Sequence, residues 1–230
     1  AVGAPTNWGA RGNSRASGGF EPMRMVARYA VVASLAALVI AASPARAGDY
    51  LSGFGFGISV PDEYLVLTQD EVQKNAGVFL EDDGDDRMRE VSSTMRRGVY
   101  DRVEAGQLEI FYRTEGGDIA FVDNVNVMMQ KAQLPANARQ LQEICQILPE
   151  EFSRLFGRPI GMENCEMRAI AGRSALYLAF DGALLGTKTL QYQIQRSDGM
   201  MLILTATSTE NNIPRMLGEF EVMVSSIRVR

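Results

Sequence analysis

The sequence contains no histidine, which excludes imidazole bases, Ser-His-Asp triads and His-ligated zinc or haem. Chemistry is left to carboxylates, lysine, tyrosine or Ser-Lys pairs, and no spacing singles one of them out. Beyond the first 47 residues the lysines are Lys74, Lys131 and Lys188, none of them in a Ser-x-x-Lys motif. Gly53-Phe54-Gly55-Phe56-Gly57 lacks the helix and lysine that a phosphate-binding loop needs. It reads as close backbone packing in an early strand. No catalytic or cofactor-binding residue is therefore assigned.

Glu81-Asp82-Asp83-Gly84-Asp85-Asp86 is the densest group of potential ligand atoms. Carboxylates clustered around a glycine suit Ca²⁺, which takes oxygen ligands, and make Asp82, Asp83 and Asp85 the candidate metal ligands. The run lacks the EF-hand spacing and its terminal glutamate. A solvated loop whose last carboxylates favour the N-terminus of the next helix accounts for the same residues. That second reading is adopted, so no cofactor is expected. Met88, Met95, Met128, Met129, Met200, Met201, Met216 and Met223 suggest adaptable or soft-metal surfaces, but their positions favour gap-filling in a core.

Residues 23–47 read as an export signal. Met23 to Arg28 is a short basic region, Tyr29 to Ala42 an apolar run, and Ala45-Arg46-Ala47 a cleavage site before Gly48. The run is too short for a good spanning helix, which needs about 20 apolar residues. The alternative is an uncleaved anchor behind a disordered cytoplasmic stub. Residues 1–22, rich in Gly, Ser, Ala and Arg, are set aside as an upstream tail, non-native or disordered. No cysteine stands at position 48 to carry a lipid. The expected organisation is therefore one domain over 48–230, located in the periplasm without a membrane span after cleavage.

Losing Arg11, Arg15, Arg24, Arg28 and Arg46 together with Glu21 takes the net charge from −5 to −9. Such an acidic chain disfavours nucleic acid as a partner. Export also places Cys145 and Cys165 in an oxidising compartment, where two cysteines of one domain usually pair. Cys145 falls on the apolar side of a helix, and Cys165 shares a strand face with Met167 and Ala169, so a disulfide is expected. The alternative is two buried thiols. The absence of Cys-x-x-Cys argues against a redox pair.

These residues must be positioned by a mixed set of elements. A strand is expected over Phe54–Val60, and Thr68-Gln69-Asp70-Glu71 fits a capping box opening a helix to about Phe79. Met88, Val91, Met95, Val99 and Val103 predict a second helix with Gly106 as its cap. Strands follow at Leu108–Arg113 and, after a Glu115–Asp118 turn, Ile119–Gln130. A helix over Asn137–Phe156 carries Leu141, Cys145, Leu148, Phe152 and Leu155 on one face. Strands at Glu163–Ile170, Arg173–Gly182, Lys188–Arg196 and Met200–Thr207 precede a last helix opened by Pro214. The order argues α+β, an antiparallel-rich sheet covered by helices.

Phe56-Gly57-Ile58-Ser59-Val60-Pro61-Asp62, Asn124-Val125-Asn126-Val127 and the segment Leu202 to Val229 resemble the PsbP-like and DcrB-like group of small exported or lumenal proteins. Tyr64 stands where that group often has Trp, and the acidic, helical stretch from Thr68 to Gln107 resembles an insertion. The resemblance implies an α/β/α sandwich and a protein that binds or stabilises others more often than one that does chemistry. The expected function is a non-enzymatic interaction, assembly or stabilising module for an envelope or membrane-associated complex, its partner another envelope protein. The alternatives are a small-ligand or Ca²⁺-binding protein and a carboxylate-dependent hydrolase, which needs two facing acids.

Overall fold

The computed structural model describes residues 48–74, 93–113 and 122–229. The upstream tail, the export segment, the Glu81–Asp86 run with Asp82, Asp83 and Asp85, and the Glu115–Asp118 turn lie outside the described residues. So do the extension of the first helix to Phe79, Met88 and Val91 of the second, and the first residues of the strand expected from Ile119.

In chain order the elements are β1 (Asp49–Leu51), β2 (Phe56–Ser59), β3 (Tyr64–Leu67), α1 (Gln69–Lys74), α2 (Ser93–Glu104), β4 (Glu109–Arg113), β5 (Asn124–Lys131), α3 (Ala138–Phe156), β6 (Met162–Ile170), β7 (Arg173–Asp181), β8 (Thr187–Gln195), β9 (Met200–Thr209), α4 (Ile213–Ser225) and β10 (Arg228–Val229). Among the described residues, seven strands form one sheet in the order β3-β4-β5-β9-β8-β7-β6, and β1-β2-β10 form a small second sheet. Every pairing is antiparallel. The expected α+β sandwich is the fold observed.

Period-two alternation decides what each face of the large sheet carries. One face presents Phe111, Val125, Val127, Tyr177, Leu190, Tyr192, Leu202 and Leu204 to Met216, Phe220, Met223 and Val224 of α4 and to Phe56 and Ile58 of β2. The small sheet thus shares a layer with α4. The opposite face carries two apolar clusters. Leu67, Ile110 and Tyr112 pack with Val72 of α1 and Val99 and Val103 of α2. Leu176, Leu178, Phe180, Met201 and Ile203 pack with Leu148 and Phe152 of α3.

The described parts of the segment read as an insertion, α1 and α2, form the cover over β3 and β4. β1, β3 and β10 were not anticipated: each is two to four residues long and shows no alternation long enough to read. Arg102 O and Val103 O accept from Gln107 N and Gly106 N at 2.8 and 3.0 Å, and Gly106 takes φ 64°. This is a Schellman closure that requires a left-handed residue. At α3, Asn137 Oδ1 accepts from Gln140 N at 3.0 Å, which fixes the helix start. Pro149 lies inside α3, and the Ser153 hydroxyl one turn later donates to Pro149 O at 2.6 Å and accepts from Ile160 N at 2.8 Å, tying the helix end to the segment before β6.

Candidate functional site: a cationic groove at one end of the sheet

Where β5 ends and β9 begins, a groove of about 840 Å³ opens, within the size range of ligand sites. Its floor holds Phe54, Met128, Met129 and Met200. Its walls carry Arg102 and Gly106 from the end of α2 and Lys131 from the end of β5. Among the described residues, Arg102 and Lys131 are the ionisable residues lining it, and neither enters an ion pair. On a chain with net charge −5, two uncommitted cations over a thioether and aromatic floor form a local positive patch.

The local sequence holds this groove open. Gly53 N donates to Glu109 Oε1 at 2.7 Å, and Phe54 N to Ser52 Oγ at 3.0 Å, which fixes the turn before β2. A side chain at Gly53 would come within 3.3 Å of that carboxylate oxygen. The Arg196 guanidinium donates to Phe54 O and pairs with Asp198 at 3.0 Å, linking the turn to the β8–β9 hairpin. Asp198 Oδ1 also accepts from Met200 N at 3.0 Å. That amide, with Arg196 beside it, holds the Asp198 carboxyl below the usual carboxylate range. Gln195 closes the rim by bonding Leu134 N, Ala132 O and Met200 O.

The other end of the same strands has the opposite character. The β7–β8 hairpin ends in Gly182-Ala183-Leu184-Leu185-Gly186, where Leu184 is 40% and Leu185 84% exposed. The Arg158 guanidinium donates to the carbonyls of Gly182, Ala183 and Leu184. Thr187 Oγ1 donates to Leu184 O at 2.7 Å, and a side chain at Gly182 would collide with the Thr187 hydroxyl. Lys188 lies between Asp181 and Glu163. Its hydrogen bond lowers the Asp181 pKa, and the two carboxylates raise that of Lys188. An apolar tip is thus presented on a fixed backbone.

Two further groups of polar side chains tie the layers together. Tyr64 Oη donates to Glu219 at 2.7 Å, Arg113 pairs with the same carboxylate, and Arg215 binds Asp123 at 2.6 Å. Burial, then Glu219, pushes the Tyr64 hydroxyl well up. Desolvation opposes the Arg113 charge, and the hydrogen bonds and charges of Glu219 and Tyr64 together outweigh it, so its pKa rises. Asp123 and Glu219 are both engaged by arginines, so this pair of neighbouring acids joins α4 to β3, β4 and the start of β5. On the α3 side of the sheet, Asn124, Asn126, Thr189, Gln191, Gln193, Thr205 and Thr207 are all buried. Gln191 bonds Thr205 and Gln193 bonds Gln191. Among the described residues the Thr189 and Thr207 hydroxyls have no hydrogen-bond partner, an arrangement that costs about 1–3 kcal/mol for each such group.

Of the residues singled out in the sequence, Cys145 and Cys165 are brought together in a disulfide, with Cα atoms 5.7 Å apart, joining α3 to β6. Among the described residues no three Cys, Asp or Glu converge as a metal site. Met201, Met216 and Met223 are buried in the core, whereas Met128, Met129 and Met200 line the groove. Gly53 and Phe54 line it from the turn before β2 and do not belong to a strand. The groove was missed because its residues come from four separate segments. The only local trace was Met128-Met129-Gln130-Lys131, where strand alternation gives way to a basic end.

No family model matches the chain, and no curated protein matches its sequence. Similar solved structures include the cyanobacterial PsbP protein CyanoP from Synechocystis sp. PCC 6803, at TM-score 0.50 and 12% identity over 86% of this chain and 99% of that one. The fold is PsbP-like. Also similar are the Ran-binding protein Mog1p of Saccharomyces cerevisiae, at TM-score 0.46 and 10% identity over 80% of this chain and 96% of that one, and LpqN, involved in cell envelope biogenesis of Mycobacterium tuberculosis, at 0.45 and 15% over 80% and 88%. Within the described residues of this PsbP-like fold, no helix is long and apolar enough to cross a membrane.

Proposed function

We propose that this chain is an exported, non-enzymatic accessory protein of the cell envelope. Its groove docks an acidic, partly apolar segment of another envelope protein and thereby stabilises a complex. The observation that carries this reading is the pair Arg102 and Lys131 lining the groove with Phe54, Met128, Met129 and Met200, neither of them in an ion pair among the described residues. Methionines re-pack around varied side chains, and uncommitted cations steer an acidic partner and fix its register. The Cys145–Cys165 bridge supports an oxidising compartment. The PsbP-like fold supplies the scaffold but does not assign the partner.

The test is site-specific photocrosslinking in cells, with the crosslinker at Met129 and, as a control, at exposed Glu143 on α3. A single envelope protein captured at Met129, absent at Glu143 and lost with Arg102→Glu and Lys131→Glu, is the expected result. The reading is overturned if Met129 captures nothing beyond the Glu143 control, or if capture survives both charge reversals.

A further inference from the structure

The groove and the leucine tip sit at opposite ends of the same sheet. β8 runs from Thr187 beside the tip to Gln195 on the groove rim, a distance of about 30 Å at strand rise. The tip offers Leu184 and Leu185, the latter 84% exposed and the most exposed large apolar side chain among the described residues. The groove offers an apolar floor of Phe54, Met128, Met129 and Met200.

Charge follows the same polarity. Glu210 N donates to Gly186 O at 3.0 Å, which holds exposed Glu210 beside the tip. The basic groups nearby are turned inward, Arg158 onto the hairpin carbonyls and Lys188 onto Asp181 and Glu163. Among the described residues, exposed Glu210 enters no ion pair at this end, and Arg102 and Lys131 enter none at the other. The rigid hairpin also costs little ordering on association, because its backbone is already fixed.

We propose that the groove accepts the Leu184–Leu185 hairpin of a second copy of this chain, with Glu210 of the incoming copy facing Arg102 and Lys131. The inference rests on the reading of the groove as a docking site. It adds that self-association competes with the envelope partner for that site. The contact is head-to-tail, because it joins different patches on the two copies. Each dimer keeps one free tip and one free groove, so association continues with concentration unless the geometry closes a ring.

The experiment is sedimentation velocity on the purified protein over a concentration series reaching about 1 mM, the range of weak association. Average mass is expected to rise with concentration for the parent chain. Leu185→Asp and Lys131→Glu are each expected to weaken association at least about tenfold, the equivalent of one lost close contact. Combining Lys131→Glu with Glu210→Lys is expected to restore it. Leu185 and Lys131 are exposed, and unchanged thermal melting confirms that the variants fold. A mass that stays monomeric throughout overturns the inference, as does association unaffected by Leu185→Asp or a charge swap without recovery. The in-cell crosslink from Met129 to an envelope protein separates the two proposals. Leu185→Asp preserves or raises that crosslink when the partner reading holds, and Lys131→Glu removes it.

Discussion

The two faces of the large sheet are closed in different ways. On the α4 side, one continuous cluster runs from Tyr64 through Phe111, Val125 and Leu204 to Phe220, and charged groups stand at its margins, around Glu219 at one edge and around Arg168 and Glu221 at the other. On the other side, the apolar surface divides into one cluster under α1 and α2 and another under α3. Between them lies the amide and hydroxyl strip of Asn124, Asn126, Thr189, Gln191, Thr205 and Thr207. The first face needs no covalent link to hold its helix. The second gives α3 a shorter apolar footing and adds the Cys145–Cys165 bridge to β6.

The comparison is broken most severely by emptying the continuous face. Phe220 is fully buried and stacks toward Tyr192 at 5.6 Å between centroids. Phe220→Ala is expected to cost about 3–5 kcal/mol in urea unfolding, and a loss under 1 kcal/mol would show that α4 does not close that face. Next comes the staple. Replacing Cys145 and Cys165 by alanine is expected to cost about 3 kcal/mol, mainly through the freed unfolded chain. A reductant should lower the melting temperature of the parent chain and leave the double variant unmoved. Equal melting of parent and variant would mean that the footing of α3 suffices.

The same contrast explains what the sequence made legible. Long elements with a clean period could be read: α3 with Asn137 at its start, the four strands from Met162 to Thr209, and Cys145 and Cys165 on mutually facing sides. β3 was hidden because Leu65 and Leu67 pack on one face and Tyr64 and Val66 on the other, which removes the alternation that marks a half-exposed strand. The small sheet was hidden because β2 pairs with β10 from the far end of the chain, a contact no local pattern encodes. The groove was hidden for the same reason, since Phe54, Arg102, Lys131 and Met200 meet only after all three layers are assembled.

Adjacent residues on β9 sharpen the comparison by giving opposite signs. Ser208 Oγ donates to Asp123 Oδ1 at 2.6 Å on the α4 side. Thr207, its neighbour, points to the other face, and its buried hydroxyl has no hydrogen-bond partner among the described residues. Ser208→Ala is expected to cost about 1–3 kcal/mol, because a buried carboxylate loses a donor. Thr207→Val keeps the shape and removes an unmatched polar group, so it is expected to stabilise by about 1 kcal/mol. Urea midpoints at fixed slope report both, and destabilisation by Thr207→Val would mean that its hydroxyl is satisfied in solution.

The smallest effect concerns the tip end, where Asp181, Lys188 and Glu163 brace the hairpin. The Asp181 pKa is lowered from its ordinary 3.8, chiefly by the Lys188 hydrogen bond and with help from Gly161 N. A lowered folded-state pKa means that its contribution is present above about pH 4 and is lost as pH falls through the lowered value. The Lys188 pKa is raised, so its contribution holds below the ordinary lysine range and is lost only as pH climbs through the raised value. Between those limits the pair gives stability no slope with pH. The melting difference between the parent chain and Asp181→Asn should therefore be flat from pH 5 to 9 and shrink on acidification below pH 4. A difference that stays constant down to pH 2 would mean that Asp181 braces the hairpin through its bond with Gly161 N, independently of its charge.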